Sequence, residues 1–107
     1  MSDKTVVSLC ALDDLEDGGV RRFEVGEDGL AVVRIGDSVY ALADRCSHRD
    51  VPLSTGEVEA DECQLVCSLH GAAFDLETGE ALTLPATRPV PIYEIRVADG
   101  DVSVVLP

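Results

Sequence analysis

Two short stretches of the chain place a cysteine close to a histidine. In RCSHRD, residues 45–50, Cys46 is followed two positions later by His48, and in VCSLHG, residues 66–71, Cys67 is followed three positions later by His70. The chain contains only these 2 histidines. A thiolate and an imidazole on one tight loop can bind the same metal centre, because both are good ligands for transition metals. We therefore expect the two loops to supply four metal ligands together.

Three kinds of metal centre could use two cysteines and two histidines. Structural zinc sites have this ligand set, but zinc fingers take two cysteines from one element and two histidines from another, whereas each loop here supplies one of each. A mononuclear iron has no feature of the sequence in its favour. A two-iron cluster with two cysteines on one iron and two histidines on the other can take one ligand for each iron from each loop. The mixed pairs favour the dinuclear centre, and structural zinc is the alternative.

The two ends of the chain have the pattern of β-strands that could position these loops. Gly36 and Asp37 favour a tight hairpin turn, and Tyr93, Ile95 and Val97 alternate with charged residues, as in a half-buried strand. A second hairpin is expected around ADGD, residues 98–101. The strands predicted at the two ends are residues 5–11, 20–25, 30–35, 38–43, 91–97 and 101–106.

The middle of the chain has shorter strand candidates and carries both histidines. The candidates are residues 64–66, 72–76 and 80–84. One helical turn is possible at LDDLED, residues 12–17. We predict a single all-β domain over residues 1–107, built as an antiparallel framework from residues 1–43 and 87–107, with a smaller metal-binding β subdomain, residues 44–86, inserted between its halves.

The charge of the chain limits its partners. Its 21 acidic and 8 basic residues give a net charge of −13, and such a polyanion is repelled by nucleic acid and by anionic membranes. A protein with a basic docking face is the expected partner, although solubility or adaptation to high salt would also explain the acidity. The first residues do not form a signal peptide, and no apolar run approaches the ~20 residues that span a bilayer. We expect a soluble, cytoplasmic protein without disulfides.

The ligand motif and the residues after it resemble the Rieske [2Fe–2S] proteins. The resemblance rests on C-x-H, C-x-x-H-G, FDLETGEAL and LPATRPVPIYEIRV, and it covers residues 40–107 closely. It implies a Rieske-type antiparallel β-sandwich with one [2Fe–2S] cluster, in which Cys46 and Cys67 bind one iron and His48 and His70 bind the other. It also implies that LPA, residues 84–86, covers one side of the cluster. The spacing between the motifs is slightly long for the family, and we place the extra length in an acidic loop, GEVEADEC, residues 56–63.

Several positions differ from the high-potential members of that family. Val51 and Leu69 stand where those members have two cysteines joined as a disulfide. Ala72 stands where they have a serine that bonds a cluster sulfide, and Phe74 where they have a tyrosine near the cluster. Because hydrogen bonds to cluster sulfur stabilise the reduced state, we expect a potential near the lower end of the Rieske range of roughly −150 to +300 mV.

The resemblance implies an electron carrier rather than an enzyme. An oxygenase subunit needs a further mononuclear iron held by two histidines and a carboxylate, and both histidines of this chain are assigned to the cluster. The chain is similar to the ferredoxin component of bacterial ring-hydroxylating dioxygenases, which implies a monomer that carries one electron from a flavin-dependent reductase to a terminal oxygenase. The alternatives are the small subunit of assimilatory nitrite reductase and a redox-sensing or cluster-handling protein.

Two further cysteines have no place in the motif. Cys10 lies in a predicted strand and is interpreted as a small buried apolar residue. Cys63 lies four positions before Cys67, and strand alternation places both on the same side as Leu65. Because Cys67 alone completes C-x-x-H-G, Cys63 is not expected to be a ligand.

Overall fold

The chain folds almost entirely into β-strands in a computed structural model, which describes residues 5–25, 29–45, 52–68, 71–83 and 88–106. The predicted all-β class is confirmed. The strands within these ranges are β1 Thr5–Ala11, β2 Val20–Phe23, β3 Leu30–Ile35, β4 Ser38–Ala43, β5 Glu57–Glu59, β6 Gln64–Val66, β7 Ala73–Asp75, β8 Ile92–Ala98 and β9 Asp101–Leu106. Short 3-10 turns occupy Leu12–Asp14, Leu53–Thr55 and Ala60–Glu62. None of the helical pieces in the described ranges could cross a membrane.

Six strands form one antiparallel sheet, the framework sheet, in the order β1-β9-β8-β4-β3-β2. The start of β8 pairs with β4, with Tyr93 opposite Ala41, whereas the rest of β8 pairs with β9, with Ile95 opposite Val104. β8 therefore connects the half β1-β9-β8 to the half β4-β3-β2. Apolar side chains from both halves pack into one core, whose buried members are Leu15, Leu30, Val32, Ala41, Val102 and Val104.

Both predicted hairpins of the framework sheet are confirmed. β3 and β4 are joined by Gly36 and Asp37, and Gly36 has a φ of 60°. A positive φ at the first position of a two-residue loop is typical of a type II′ turn. β8 and β9 are joined by Asp99 and Gly100, with φ values of 52° and 75°, as in a type I′ turn. These turns fix the strand register, and thereby which side chains enter the core.

The other three strands form a separate antiparallel sheet, the small sheet, in the order β5-β6-β7. Val58, Leu65 and Phe74 lie opposite one another across its strands and pack into a second core. The framework side of that second core comprises Ala31, Val33 and Leu42. Alternate residues of β3 therefore face two different cores, which explains why its sequence is a continuous apolar run rather than an alternating one.

Two expectations about the middle of the chain were wrong in detail. Residues 80–84, predicted as a strand, contribute one bridge in the described part of the chain, between Ala81 and Phe74. The stretch 56–63, interpreted as a loop, instead contains β5 and the turn Ala60–Glu62. In β5 a single inward residue, Val58, lies between two exposed glutamates, which is too short an alternation to identify a strand from sequence.

Candidate metal centre

The described residues include one of the four predicted ligands. Cys67 lies directly after β6 and is 2% exposed, whereas Cys46, His48 and His70 lie outside the described residues. The remaining predictions that fall outside them concern Val51, Leu69 and residues 84–86. Within the described ranges, no three His, Cys, Asp or Glu side chains come together to hold a metal ion. What the structure adds is therefore the buried thiol and the described ends of the two ligand loops.

The second ligand loop starts and ends on the small sheet. The Cys67 amide donates to the Ala72 carbonyl at 2.7 Å, which closes this loop at its base. Gly71 has a φ of 70°, a conformation that glycine adopts at little cost. This is a physical reason for the glycine that follows the last predicted ligand in the motif.

The first ligand loop is closed at its base by a buried carboxylate. The Asp44 side chain is 0% exposed. Its Oδ1 accepts the Ser54 amide at 2.6 Å, and its Oδ2 accepts the Ser54 hydroxyl at 2.6 Å and Arg22 Nη1 at 2.7 Å. Residues 44 and 54 lie on either side of the first motif, so these bonds join the two ends of its loop. Hydrogen bonds to Glu24 and Asp44 raise the pKa of the Arg22 guanidinium above its ordinary value, which keeps the charge that compensates Asp44 in place.

A second polar contact connects the two ligand loops to each other. Thr55 Oγ1 lies 2.9 Å from Ser68 Oγ and donates to the Pro52 carbonyl at 2.8 Å. Because a hydroxyl has one proton to donate, Ser68 is the donor to Thr55. The backbones are also close, since a Cβ built on Gly56 would collide with the Val66 carbonyl oxygen. Glycine is therefore required where the end of the first loop crosses β6.

A cavity of about 280 Å³ opens beside the buried thiol. The described residues that line it belong to the stems of both loops, namely Thr55, Gly56, Glu57, Val66, Cys67, Ser68 and Gly71. A cysteine sulfur at the wall of a cavity, shielded from bulk solvent and placed where two loops meet, is suited to bind a metal cluster. The described residues thus fit the expected group.

The two positions that distinguish this chain from high-potential relatives lie in the second core. Ala72 is 1% exposed and Phe74 is 0% exposed, and both pack in the same cluster as Cys67. Neither side chain carries a hydrogen-bond donor. The side chains present at these two positions therefore provide no hydroxyl to a cluster sulfur.

The other two cysteines take no part in the loops. Cys10, expected to be buried, is partly exposed, although it packs against the framework core and burial raises the pKa of its thiol. Cys63 is half-buried beside the same core as Cys67, and a hydrogen bond between its sulfur and the Tyr40 hydroxyl raises the pKa of Tyr40. No disulfide joins the three described cysteines.

Sequence reasoning missed the polar residues that hold the loop ends together. Asp44 directly follows the apolar strand β4, and a carboxylate in that position is normally either exposed or paired. Its partner Arg22 lies far away in sequence. The only available signal was the carboxylate at the end of an apolar strand, and it did not identify Ser54 or Thr55.

Comparisons with known proteins agree with this architecture. A family model for the Rieske [2Fe–2S] domain matches residues 5–94. The ferredoxin subunit of 3-phenylpropionate/cinnamic acid dioxygenase from Photorhabdus laumondii subsp. laumondii is 40% identical over 94 residues, which make up 88% of this chain and 88% of that protein.

Solved structures give the same picture. The ferredoxin of carbazole 1,9a-dioxygenase from Nocardioides aromaticivorans IC177 is 38% identical, covers 94% of this chain and 96% of that one, and has a TM-score of 0.90. A chain from a complex of reduced oxygenase and oxidised ferredoxin in carbazole 1,9a-dioxygenase is 37% identical, covers 92% and 91% of the two chains, and has a TM-score of 0.85.

Proposed function

Because the chain belongs to the Rieske [2Fe–2S] family, we propose that it carries single electrons from a flavin-dependent reductase to the terminal oxygenase of a ring-hydroxylating dioxygenase system. As a member of that family it holds one [2Fe–2S] cluster and is an electron-carrier component rather than an oxygenase. The observation that carries the proposal is the similarity to dioxygenase ferredoxins over nearly the full length of both chains. We further propose that it works as a monomer in the cytoplasm, where cysteines stay reduced.

We propose that Cys46 and Cys67 bind one iron of the cluster and that His48 and His70 bind the other. The burial of Cys67 beside the cavity between the loop stems supports its part in this set. When bound, the cluster supplies a site that accepts and releases one electron. The protein's own residues exclude water from the thiol side and fix the loop ends. The proposed division into a framework and a cluster-binding subdomain, residues 44–86, follows from the same arrangement.

The reduction potential is proposed to lie near the lower end of the Rieske range. The side chains of Ala72 and Phe74 support this proposal, because they are buried near Cys67 and have no O–H group to donate. A low potential suits a carrier that accepts electrons from a flavin. Ala72→Ser and Phe74→Tyr are expected to raise the potential, which protein-film voltammetry measures. An unchanged potential in both variants would contradict this explanation.

The docking surface for the partner is proposed to be acidic, and the partner's face basic. Residues 52–83 contain seven acids and no Lys or Arg, so that all 8 basic residues lie elsewhere in the chain. We call these seven acids the acidic face: Glu57, Glu59, Asp61, Glu62, Asp75, Glu77 and Glu80. Most of them are exposed on the small sheet and its turns, and Glu57 also lines the cavity beside Cys67, where we propose that a partner approaches for electron transfer. Charge complementarity of this kind mainly accelerates association.

Metal and sulfide analysis tests the cluster assignment first. Protein expressed with iron is expected to be red-brown, with about two irons and two acid-labile sulfides per chain. Its reduced form is expected to give the EPR spectrum of a Rieske cluster. A colourless protein with one zinc would contradict the proposed function.

Electron transfer to a purified dioxygenase component then tests docking. The double variant Glu57→Gln/Glu59→Gln is expected to slow second-order electron transfer several-fold at low salt, and Glu16→Gln/Asp37→Asn, which removes the same charge from exposed framework sites, is expected to slow it less. Both differences should shrink as salt reduces the Debye length below ~10 Å. Equal effects of the two pairs would mean that net charge, rather than the acidic face, controls association.

A further inference from the structure

We propose that Asp44 is a positioning residue that clasps the two ends of the first ligand loop and ties both of them to the framework sheet. The proposal rests on the proposed ligand set, because it concerns the loop that carries Cys46 and His48. Its contacts within the described residues are with Arg22 and Ser54, neither of which is a proposed ligand. Asp44 would act on the cluster through the backbone that it holds.

Three separate elements meet at the Asp44 carboxylate. Arg22 comes from β2, Ser54 from the turn Leu53–Thr55, and Asp44 itself from the end of β4. The three hydrogen bonds use both carboxylate oxygens, with donor–acceptor distances of 2.6 to 2.7 Å. Hydrogen bonds to an ionised group are shorter and stronger than neutral ones. The clasp therefore holds the loop ends more firmly than neutral side chains could.

The charge on Asp44 is required for this geometry. A carboxylate that is 0% exposed is stable only when it is paired and hydrogen-bonded. An asparagine could keep one oxygen on the Ser54 amide, but its NH₂ group would then face the Arg22 guanidinium, which can only donate. Asp44→Asn thus breaks the contact with the framework while it changes the side-chain volume very little.

The same arginine provides an internal comparison. Arg22 Nε also donates to Glu24 at 2.7 Å, but the Glu24 side chain is 79% exposed, and exposed ion pairs contribute little. Among the described residues, Arg22 therefore has one carboxylate partner in solvent and one in the interior. Of these two partners, the interior one contacts the turn at the end of the loop.

The clasp continues from the first loop to the second. Leu53 is 0% exposed in the second core, Ser54 bonds to Asp44, and Thr55 accepts the hydroxyl of Ser68. Three consecutive residues thus attach this turn to the core, to the start of the first loop and to the stem of the second. Ser68 is adjacent to Cys67. The arrangement sets the spacing between the two loops that the cluster must bridge.

The test compares Asp44→Asn with Glu24→Gln in the cluster-loaded protein. Asp44→Asn is expected to speed cluster loss to a chelator about tenfold, the effect of losing one hydrogen bond to a charged group, and to shift the EPR g-values. Glu24→Gln, on the same arginine, is expected to change neither. Val102→Ala, which weakens the framework core, should lower global stability without moving the g-values. Identical rates and g-values for Asp44→Asn and the wild-type protein would overturn the proposal.

Two further measurements keep the outcome clear. Ser54→Ala removes a hydroxyl that donates to the charged Asp44 carboxylate, and Thr55→Val removes a hydroxyl with two neutral partners. Each is expected to speed cluster loss by up to about tenfold. If Asp44→Asn does not fold, an Ser54→Ala variant that behaves as wild type overturns the clasp. In cluster-free protein, the Ser54 amide should exchange with solvent faster in Asp44→Asn than in Glu24→Gln, because the neutral oxygen of asparagine holds that amide less strongly than the carboxylate does. That measurement tests the clasp even if the wild-type protein proves to bind zinc.

Discussion

The framework sheet and the small sheet differ most clearly in how they use charge. Arginines of the framework hold carboxylates or carbonyls: Arg22 binds Glu24 and Asp44, and Arg96 binds Glu94. Arg34 Nη1 donates to the carbonyls of residues 12 and 15. The stretch that contains the small sheet has acids but no cation of its own. In the framework, charge ties elements of the fold together, whereas we propose that on the small sheet it is available to a partner.

The two sheets also differ in how far they can stand alone. The framework strands have four to seven residues and enclose their own core. Each strand of the small sheet has three residues, which is too little for independent stability in water. Its inward side chains are buried because other parts of the chain, including β3, β4, Leu53 and Val90, complete the second core. The region that is proposed to hold the cluster is therefore the region that depends on its surroundings.

Removal of the cluster should produce the largest effect, and it should affect the cluster-binding region while leaving the framework sheet folded. Cys46→Ser and Cys67→Ser are expected to abolish the cluster, because serine is a poor ligand for iron in this setting. Visible absorption together with iron and sulfide analysis measures this loss. The framework's β signal in far-ultraviolet circular dichroism should persist.

Cys63→Ser is the matched control for that experiment, since Cys63 lies four residues from Cys67 and packs against the same core. We expect it to retain the full cluster content. A cluster that survives Cys67→Ser, or is lost in Cys63→Ser, would show that the ligand assignment is wrong.

A cavity in the second core should weaken the small sheet more than the framework. Phe74 is fully buried in that core, and truncating a buried Phe to Ala costs about 3–5 kcal/mol of stability. Phe74→Ala should therefore expose the amides of β6 and β7 to hydrogen exchange while β9 stays protected. Loss of protection in both sheets at the same rate would mean that they unfold as one unit.

Forcing the two loop stems apart should have a smaller, local effect. Gly56 has a φ of −88°, which any residue can adopt, so a side chain there is opposed by its neighbours, first the Val66 carbonyl and then, at a longer distance, the Leu53 carbonyl oxygen. Gly56→Ala should cost about 1–3 kcal/mol, as overpacking does, measured by denaturant unfolding. Gly18→Ala is the comparison. An alanine there would have a strained backbone, with a φ of 79°, but no neighbouring atom would contact its Cβ, so this variant measures backbone strain without overpacking. A Gly56→Ala variant as stable as the wild type would show that the crossing can relax.

The smallest expected effect is on the pH dependence of stability, through the ionisation of Tyr40. Its pKa is raised from 10.0, first by the hydrogen bond with Cys63 and then by burial. A raised pKa in the folded state means that stability is complete below about pH 10 and declines as pH rises through the folded value. Tyr40→Phe should remove this alkaline decline, and Cys63→Ala should lower the pKa seen in an ultraviolet titration. An unchanged titration in Cys63→Ala would exclude the hydrogen bond as the cause.

Sequence patterns were sufficient where local rules decide the structure. β1, β3, β4, β6 and β9 were predicted with the bounds that the structure has, because apolar runs separated by Gly and Asp turns determine strands over a few residues. In these strands, neighbouring residues contain the needed information. The ligand set, with Cys67 preferred to Cys63, was also predicted from local spacing, and it stays a prediction because Cys67 is the one member within the described residues.

Sequence patterns failed where distant residues decide the structure. β5 forms because Val58 enters a core that other strands build. From sequence alone, the two glutamates on either side of Val58 led us to interpret this segment as an acidic loop. Asp44 is satisfied by Arg22 and Ser54, one before the ligand loop and one after it. No local sequence pattern predicts that these three side chains form hydrogen bonds, because each residue type is common in its own segment.

The pairing of β4 with β8 has a consequence for the order in which the molecule assembles. Leu42 lies opposite Ile92, and the Ala43 amide donates to the Pro91 carbonyl at 2.9 Å, so the whole small sheet is a loop whose ends meet. Closing a long loop costs more conformational entropy than closing a two-residue turn. The hairpins β3–β4 and β8–β9 should therefore form early and join each other late, after or together with the collapse of the second core. In pulse-labelled hydrogen exchange during refolding, the Val33 amide should become protected before the Ala43 amide. The reverse order would show that β4 pairs with β8 before the hairpins form.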